Sequence, residues 1–118
     1  MLTIAVDFDN TLVHEDERGE FAPVEGAAEA MRKLREAGHR VIVHSCRTTE
    51  GIARGDLHHV LHLMADVLRE FDIVFDEIWA GPKMIAHIYI DDRAVAFRDD
   101  WTRALSDVEH KIRHTYSE

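Results

Sequence analysis

Short apolar runs rich in β-branched residues alternate along this chain with segments of helical periodicity, and this alternation restricts the fold more than any other feature. LTIAVDF near the start, HRVIVHS in the middle, and DEIWAG and AHIYIDD later have the length and composition of buried strands. Apolar residues recur at helical spacing in three further segments, which open at about Pro23, Gly55 and Asp99. The pattern predicts a three-layer, Rossmann-like α/β fold, in which a parallel sheet has helices on both faces.

The length, charge and composition of the chain exclude several classes of protein. We expect residues 1–118 to form one domain. The formal charge of −9 argues against a nucleic-acid partner. No apolar run approaches the roughly 20 residues that span a bilayer, and no secretion signal opens the chain, so we expect no membrane partner. The single cysteine, Cys46, cannot form an internal disulfide, which suits a cytoplasmic location, and we expect it to be a small buried residue.

Polar residues cluster where the predicted strands end. The residues at or just past these ends are Asp7, Asp9, Ser45, Asp91 and Asp92, while Lys83 lies in the loop before the last strand. In open parallel sheets, ligands bind in the crevice beyond the carboxyl ends of the strands. We therefore expect these side chains to share one site.

The acidic residues of this group predict a metal. Residues two apart in an extended chain point the same way, so Asp7 and Asp9 can face one pocket while Phe8 turns into the core. If the first and fourth strands are neighbours, Asp91 and Asp92 join them. Four carboxylates in a small volume would take up protons unless a cation is present. Mg²⁺, which binds carboxylate oxygens, waters and substrate phosphates, would resolve the conflict.

A phosphate on that metal would meet further donors. They are Lys83, the Ser45 hydroxyl and the backbone N–H groups after the first strand, at Asn10 and Thr11. Positioning and charge stabilisation supply most of the catalysis in phosphoryl transfer. One carboxylate can attack phosphorus to form an aspartyl-phosphate, and its neighbour can protonate the leaving oxygen and later take a proton from water. These residues predict a phosphatase.

Three other features have two interpretations each. Arg47, in HSCRTT, either binds the substrate's phosphate or forms a surface ion pair. His58 and His62 have the spacing of zinc ligands on a helix, but no HExxH-type glutamate lies between them, which favours a solvated helix face. The polar run at residues 14–22 is an exposed loop or a small hairpin, and it could move over the site.

The sequence resembles the haloacid dehalogenase superfamily of phosphohydrolases through most of its length. That family's first motif, Asp-x-Asp-x-Thr after an apolar strand, stands here as DFDNT. The second motif is Ser45 in VIVHS, the third is Lys83 in GPKM, and the fourth is Asp91 and Asp92 in IYIDD. Each motif is weak alone, but four in the right order at predicted strand ends make the resemblance specific.

The resemblance implies roles for these residues. Asp7 would be the nucleophile and Asp9 the general acid/base. Mg²⁺ would be held by the Asp7 side chain, the Asp9 backbone carbonyl and the acidic pair, with either member of the pair as the direct ligand. The presence of Asp9 favours phosphatase over dehalogenase chemistry. Asn10 stands where many members have glycine, and asparagine also tolerates left-handed backbone angles.

The resemblance also bears on substrate and assembly. The superfamily inserts lid domains after the first motif or between the second and third, and both gaps are short here, which implies a capless member. An uncovered site suits a bulky substrate, or a homo-oligomer in which a neighbouring subunit covers the site. We expect a small phosphorylated metabolite, such as a sugar phosphate or a nucleotide.

Two other functions use similar residues. A response-regulator receiver domain also combines acids, a hydroxyl and a lysine on a parallel sheet, but there the acidic pair comes first and the phosphate-accepting Asp ends the third strand. A catalytically idle binding protein on the same scaffold is the second alternative. All the motif residues are present, so nothing in the sequence supports a loss of activity.

Overall fold

The computed structural model describes residues 1–116, and its elements alternate as predicted. The strands are β1 (Thr3–Asp7), β2 (Val13–Glu15), β3 (Phe21–Pro23), β4 (Arg40–His44), β5 (Glu77–Ile78) and β6 (Ile88–Ile90). The helices are α1 (Ala27–Glu36), α2 (Cys46–Arg54), α3 (Leu57–Glu70) and α4 (Trp101–Lys111), which continues as a π-helical turn, Ile112–Tyr116. Within residues 1–116, every helix is too short or too polar to cross a bilayer.

Four strands form a parallel sheet in the order β5-β4-β1-β6. The predicted Rossmann-like α/β fold is confirmed. Strands β1 and β6 are hydrogen-bonded neighbours, so the acids at their carboxyl ends lie at the same place on the sheet edge. Strands β2 and β3 pair separately as an antiparallel hairpin, so the polar run at residues 14–22 is a hairpin and not an unstructured loop.

One face of the sheet carries most of the core. Its largest fully buried side chains include Phe8 after β1, Met31 on α1, and Met64 and Leu68 on α3. Burying a side chain of this size stabilises the fold by about 1.5–3 kcal/mol. Helices α1 and α3 therefore anchor this face, and Phe8 turns into the core as predicted.

The second face has a smaller core. Ala5 and Ile42 pack against Met84, with Trp79 and Ala86 at the edge of the cluster. The segment 79–86 covers the sheet at this place, and the carboxyl ends of β1, β4 and β6 extend beyond it. This is the face on which the polar residues gather.

Helix α4 forms as predicted, but most of its apolar side is exposed. Trp101 is 71% exposed and Leu105 is 58% exposed, and Val108 and Ile112 are also exposed. Ala104 is the buried residue of this helix. Helical periodicity alone indicated an apolar stripe, but it does not specify the surface against which that stripe would pack.

The start of α1 differs from the prediction. We expected Pro23 in the first helical turn, whereas it ends β3, opposite Val13 on β2. A proline is tolerated there because β3 is an edge strand. The helix begins at Ala27, after Gly26, whose φ of 85° requires a residue that tolerates left-handed backbone.

Helix α2 was not predicted. Its side chains are mostly polar, and Ile52 is its only large apolar residue, so it shows no apolar stripe. Local signals were nevertheless present: Ser45 caps its N-terminus and Gly55 ends it with a φ of 79°. A Cβ at Gly51 would lie 3.0 Å from Val60 Cγ2, so glycine there lets α2 approach α3 closely.

Candidate active site

Three polar side chains form a row across the carboxyl ends of β6, β1 and β4. The parallel register pairs Asp7 with His44, and it pairs Val6 with Ile90, so that Asp91 follows beside Asp7. Adjacent strands lie about 4.8 Å apart, and aligned residues point to the same face. One ligand atom from each of Asp7, His44 and Asp91 lies within 4.8 Å of the other two.

This row borders a cavity of about 420 Å³, which we call the acid pocket. Its lining residues are Asp7, Asp9, Asn10, Glu15, His44, Cys46, Asp91 and Arg93. The pocket therefore collects both acids of the first motif and Asp91 of the second pair. The backbone N–H of Arg93 donates to Asp91 Oδ1 over 2.8 Å, which fixes the turn after β6.

The carboxyl of Asp7 is half-buried beside Asp91 and Asp92. Burial raises its pKa from 3.8 to about 7, together with a hydrogen bond to the Asp92 side chain and the charges of Asp91 and Asp92. Oδ1 of Asp92 is buried without a hydrogen-bond partner. Thr11 Oγ1 donates to Asp7 over a long 3.4 Å. Carboxylates this close together disfavour one another's charged form, and a divalent cation fits this donor set.

Asp9 has the opposite surroundings. Arg47 Nε donates to Asp9 Oδ2 and Arg47 Nη2 to Asp9 Oδ1, each over 2.8 Å. Arg47 Nη2 also donates to Glu15 Oε1 over 2.9 Å. These hydrogen bonds raise the pKa of the Arg47 guanidinium, although burial opposes them. We call Asp9, Arg47 and Glu15 the arginine cluster.

The arginine cluster also packs against aromatic rings. The guanidinium carbon of Arg47 lies 5.6 Å from the centre of the Phe8 ring and 5.3 Å from that of Phe21. Phe21 and Glu15 belong to the hairpin, so Arg47 ties the hairpin to helix α2. Of the two interpretations of Arg47, the structure shows ion pairs, and these are partly buried at the pocket rim.

The other predicted phosphate-binding residues lie in different places. A second cavity of about 490 Å³, the side cavity, adjoins the acid pocket and shares His44, Cys46 and Asp91 with it. Ser45 and Lys83 line the side cavity. The hydroxyl of Ser45 accepts a hydrogen bond from Arg47 N over 3.1 Å, so it serves as the cap of α2.

Asn10 and Cys46 both line the pocket, and the sequence analysis made a prediction for each. Asn10 adopts the left-handed conformation, with φ 64°, that we expected asparagine to tolerate. Its N–H donates to the Val13 carbonyl over 2.7 Å, so this donor is engaged within the turn. Cys46 was expected to be buried, and it is exposed instead, because it occupies the first turn of α2 at the mouth of both cavities.

The sequence analysis missed His44 as a site residue. Burial lowers the pKa of its imidazole, partly opposed by the charge of Asp91, and its Nε2 is buried without a hydrogen-bond partner. A signal was present in HRVIVHS: a histidine two residues after Ile42 points to the same face of the strand. Only the register, however, places that histidine beside Asp7.

The paired histidines of α3 do not form such a site. His58 Nε2 and His62 Nε2 lie 3.1 Å apart on the exposed side of the helix. Among residues 1–116, the one group of three or more clustered ligand residues is the row Asp7, His44 and Asp91. The solvated-face interpretation of His58 and His62 is therefore the one that the structure favours.

Comparisons with known proteins bear on the fold. No model of a known protein family matches the sequence, and no curated protein matches it significantly. A conserved protein from Bacteroides thetaiotaomicron is 26% identical, with 93% of this chain and 91% of that one covered and a TM-score of 0.56. A target protein from Vibrio cholerae is 24% identical, with coverages of 92% and 99% and a TM-score of 0.58.

A third solved structure is D,D-heptose 1,7-bisphosphate phosphatase from B. bronchiseptica, complexed with magnesium and phosphate. It is 18% identical, the alignment covers 94% of this chain and 63% of that one, and the TM-score is 0.42, which is too low to equate the two folds. The two better matches cover nearly all of both chains, but their names state no activity. This chain is therefore similar along almost its whole length to two bacterial proteins, and that similarity establishes its fold.

Proposed function

We propose that this protein is a phosphomonoester hydrolase of the haloacid dehalogenase type, which depends on a divalent cation and forms an aspartyl-phosphate on Asp7. The observation that carries the proposal is the convergence of Asp7, Asp91 and Asp92 at the ends of β1 and β6. Burial raises the pKa of Asp7 to about 7, together with a hydrogen bond to Asp92 and the charges of Asp91 and Asp92. A cation site beside a nucleophilic carboxylate is what aspartyl-phosphate chemistry requires.

Four groups would hold the cation. They are the side chains of Asp7 and Asp91, the backbone carbonyl of Asp9, and Asp92, which lies next to Asp7. Asp91 is the better direct ligand of the pair, because its carboxylate belongs to the row with Asp7. When bound, the ion would neutralise charge on the carboxylates and on the phosphoryl oxygens.

The chemistry of the chain's own residues then divides between two acids. An oxygen of Asp7 attacks phosphorus, a new P–O bond forms, and the bond to the leaving oxygen breaks. Asp9 donates a proton to that leaving oxygen. In the second step Asp9 takes a proton from water, the water oxygen attacks phosphorus, and the Asp7 carboxylate leaves with the electron pair.

Arg47 fixes the orientation of Asp9. Both oxygens of Asp9 accept a hydrogen bond from Arg47, and each keeps a second lone pair at which a proton can be exchanged with substrate. Arg47 is itself held by Glu15 of the hairpin. We propose that Arg47 is a positioning residue which orients Asp9 at the pocket rim.

The side cavity supports a small phosphorylated metabolite as substrate. It adjoins the acid pocket, and its wall combines the ammonium of Lys83 with the apolar side chains of Trp79 and Met84. Lys83 is exposed, so it can swing toward a phosphate that spans both cavities. A leaving group of modest size would occupy the side cavity while its phosphate lies beside Asp7.

The decisive experiment follows phosphate release from an aryl phosphate, with Mg²⁺ and with a chelator. We expect turnover only with the metal, and a loss of at least about a thousandfold in Asp7→Asn. The matched control is Asp107→Asn, an exposed aspartate of α4, which should keep full activity. Acid quenching followed by peptide mass spectrometry should find a phosphoryl group on Asp7.

Other outcomes would assign the chain differently. Unchanged turnover in Asp7→Asn would rule out this nucleophile. A stable phosphorylated Asp7 that is not hydrolysed would indicate a receiver-like module. Tight Mg²⁺ binding without hydrolysis of any ester in a broad phosphometabolite panel would indicate a binding protein.

A further inference from the structure

The row of Asp91, Asp7 and His44 at the sheet edge includes one nitrogen donor, the imidazole of His44. His44 is the partner of Asp7 in the register of β4 and β1, and both residues are the last of their strands. One atom each from His44, Asp7 and Asp91 lies within 4.8 Å of the others. Metal bonds to such donors are about 2.0–2.2 Å long, so small side-chain shifts let one ion contact all three.

The imidazole Nε2 of His44 lacks a hydrogen-bond partner among the described residues. This nitrogen is also buried, which is costly for a polar atom without a partner unless a ligand satisfies it. The His44 ring lines both cavities, so it is directed toward the place where substrate and cation would meet. A histidine that only filled space would be expected to hydrogen-bond to a neighbouring group.

The type of donor determines which ions the site prefers. Mg²⁺ is a hard ion that takes oxygen ligands and retains several waters. Imidazole nitrogen favours first-row transition-metal ions, whose affinities rise from Mn²⁺ through Co²⁺ toward Cu²⁺. Asp7 and Asp91 alone would form an ordinary oxygen site, and His44 changes that character.

We propose that the imidazole of His44 is a third protein ligand to the cation beside Asp7 and Asp91, and that this site therefore prefers a first-row transition-metal ion to Mg²⁺. The inference rests on the cation site of the proposed function. It goes beyond that function because it assigns a role to His44 and predicts which ion the site selects.

Pulsed EPR of the Mn²⁺-loaded protein tests the ligand directly. We expect hyperfine coupling between Mn²⁺ and a histidine nitrogen. This coupling should change when the protein is made with ¹⁵N-labelled histidine. His58 and His62 form an exposed pair that could also bind Mn²⁺, so the measurement uses the double variant His58→Gln/His62→Gln as well as the natural chain. The coupling should persist in this double variant and disappear in His44→Asn.

Calorimetric titration tests the selectivity. In the natural chain we expect Co²⁺ to bind more tightly than Mg²⁺. The ratio of the two dissociation constants should fall at least about tenfold in His44→Asn and in His44→Gln, mainly through weaker Co²⁺ binding. His59→Gln, at an exposed position of α3, is the matched control and should leave the ratio unchanged.

The outcomes separate this inference from the proposed function. Mg²⁺ binding that supports turnover, with no nitrogen coupling and an unchanged ratio in both His44 variants, would overturn the role of His44 and leave the phosphatase intact. Failure of every divalent ion to bind would overturn both. Nitrogen coupling without hydrolysis of phosphate esters would support the role of His44 and contradict the proposed reaction. Nitrogen coupling in the double variant His58→Gln/His62→Gln, which lacks that exposed pair, supports the role of His44 even if His44→Asn does not fold, and its absence there would overturn that role.

Discussion

The acid pocket and the arginine cluster contain the two acids of one motif in opposite electrostatic surroundings. Asp7 faces Asp91 and Asp92, and its pKa rises to about 7 because it is buried among them. Asp9, two residues later, has both carboxylate oxygens bonded to Arg47 over 2.8 Å. Phe8 lies between them in the chain and is fully buried, which fixes the backbone from which both acids project.

Two acids at one strand end therefore have different electrostatic surroundings. Burial, together with the neighbouring side chains of Asp91 and Asp92, disfavours the carboxylate form of Asp7. Asp9 already has its counter-charge within the chain, in Arg47 on helix α2. In the proposed reaction, the nucleophile and the proton carrier are thus separated by only one residue, and each prediction below tests one of these two acids or its surroundings.

After Asp7→Asn, the largest effect is expected from Asp9→Asn. The amide keeps the shape of the side chain but can neither give nor take the proton, so kcat should fall by about 10²–10⁴-fold. Steady-state kinetics on an aryl phosphate measure the loss, and circular dichroism verifies the fold. Full activity in this variant would remove Asp9 from the mechanism and abolish the contrast with Asp7.

A smaller effect is expected from Arg47→Met, which keeps much of the packing on Phe8 and Phe21 but removes the hydrogen-bond donors. If Arg47 orients Asp9, kcat should fall by about 10–100-fold with little change in KM. A rise in KM at constant kcat would show instead that Arg47 binds the substrate's phosphate. Arg54→Met, at an exposed arginine of the same helix, should change neither constant.

Metal binding should stabilise the protein through the acid pocket. At a concentration of Mg²⁺ about 100 times its dissociation constant, the free energy of unfolding should rise by about 2.7 kcal/mol, which for a chain of this size raises Tm by about 10 °C. Thermal melts at pH 8, with and without the ion, measure the shift. Asp7→Asn should lose most of the shift, and Asp9→Asn should retain most of it, because the Asp9 side chain is bonded to Arg47. An equal loss in both variants would contradict the separation of the two regions.

The last prediction concerns the pH dependence of stability. Without metal, the pKa of Asp7 is raised in the folded state to about 7 from 3.8, so between these values the folded protein holds a proton that the unfolded chain has released. Stability from this group is therefore complete below pH 3.8, falls as pH rises toward 7, and is constant above that. Melts of the metal-free protein across this range should show a shallower decline in Asp7→Asn than in the natural chain. Parallel curves would contradict the raised pKa.

Much of the fold was predictable because strands and long helices have strong periodic signals. The apolar runs around β1, β4 and β6 and the stripe on α3 all correspond to elements of the structure. Helix α2 was missed because it is polar and is stabilised by a cap at Ser45 and a close contact with α3 at Gly51, neither of which produces a stripe. Helix α4 is the opposite case, because its apolar stripe was visible in the sequence but most of that stripe is exposed in the structure.

The sequence predicted where the acids of the candidate site lie, but it did not predict which side chains contact them. Asp7, Asp91 and Asp92 converge as expected, because parallel strands bring their carboxyl ends to one edge. Arg47 was recognised, but its pairing with Asp9 and Glu15 depends on how α2 and the hairpin approach each other. His44 was missed because nothing in HRVIVHS indicates which residue of β1 will lie beside it.

The sequence by itself determined the parallel α/β architecture and the concentration of acids at strand ends, since both follow from local periodicity and from the position of each acid along its own strand. Only the tertiary structure decided which acid would be compensated. Strand register placed His44 and Asp91 on either side of Asp7, and the packing of α2 against the hairpin brought Arg47 to Asp9. Charge interactions fall off with distance in space, and that distance is set by packing between segments far apart in the chain.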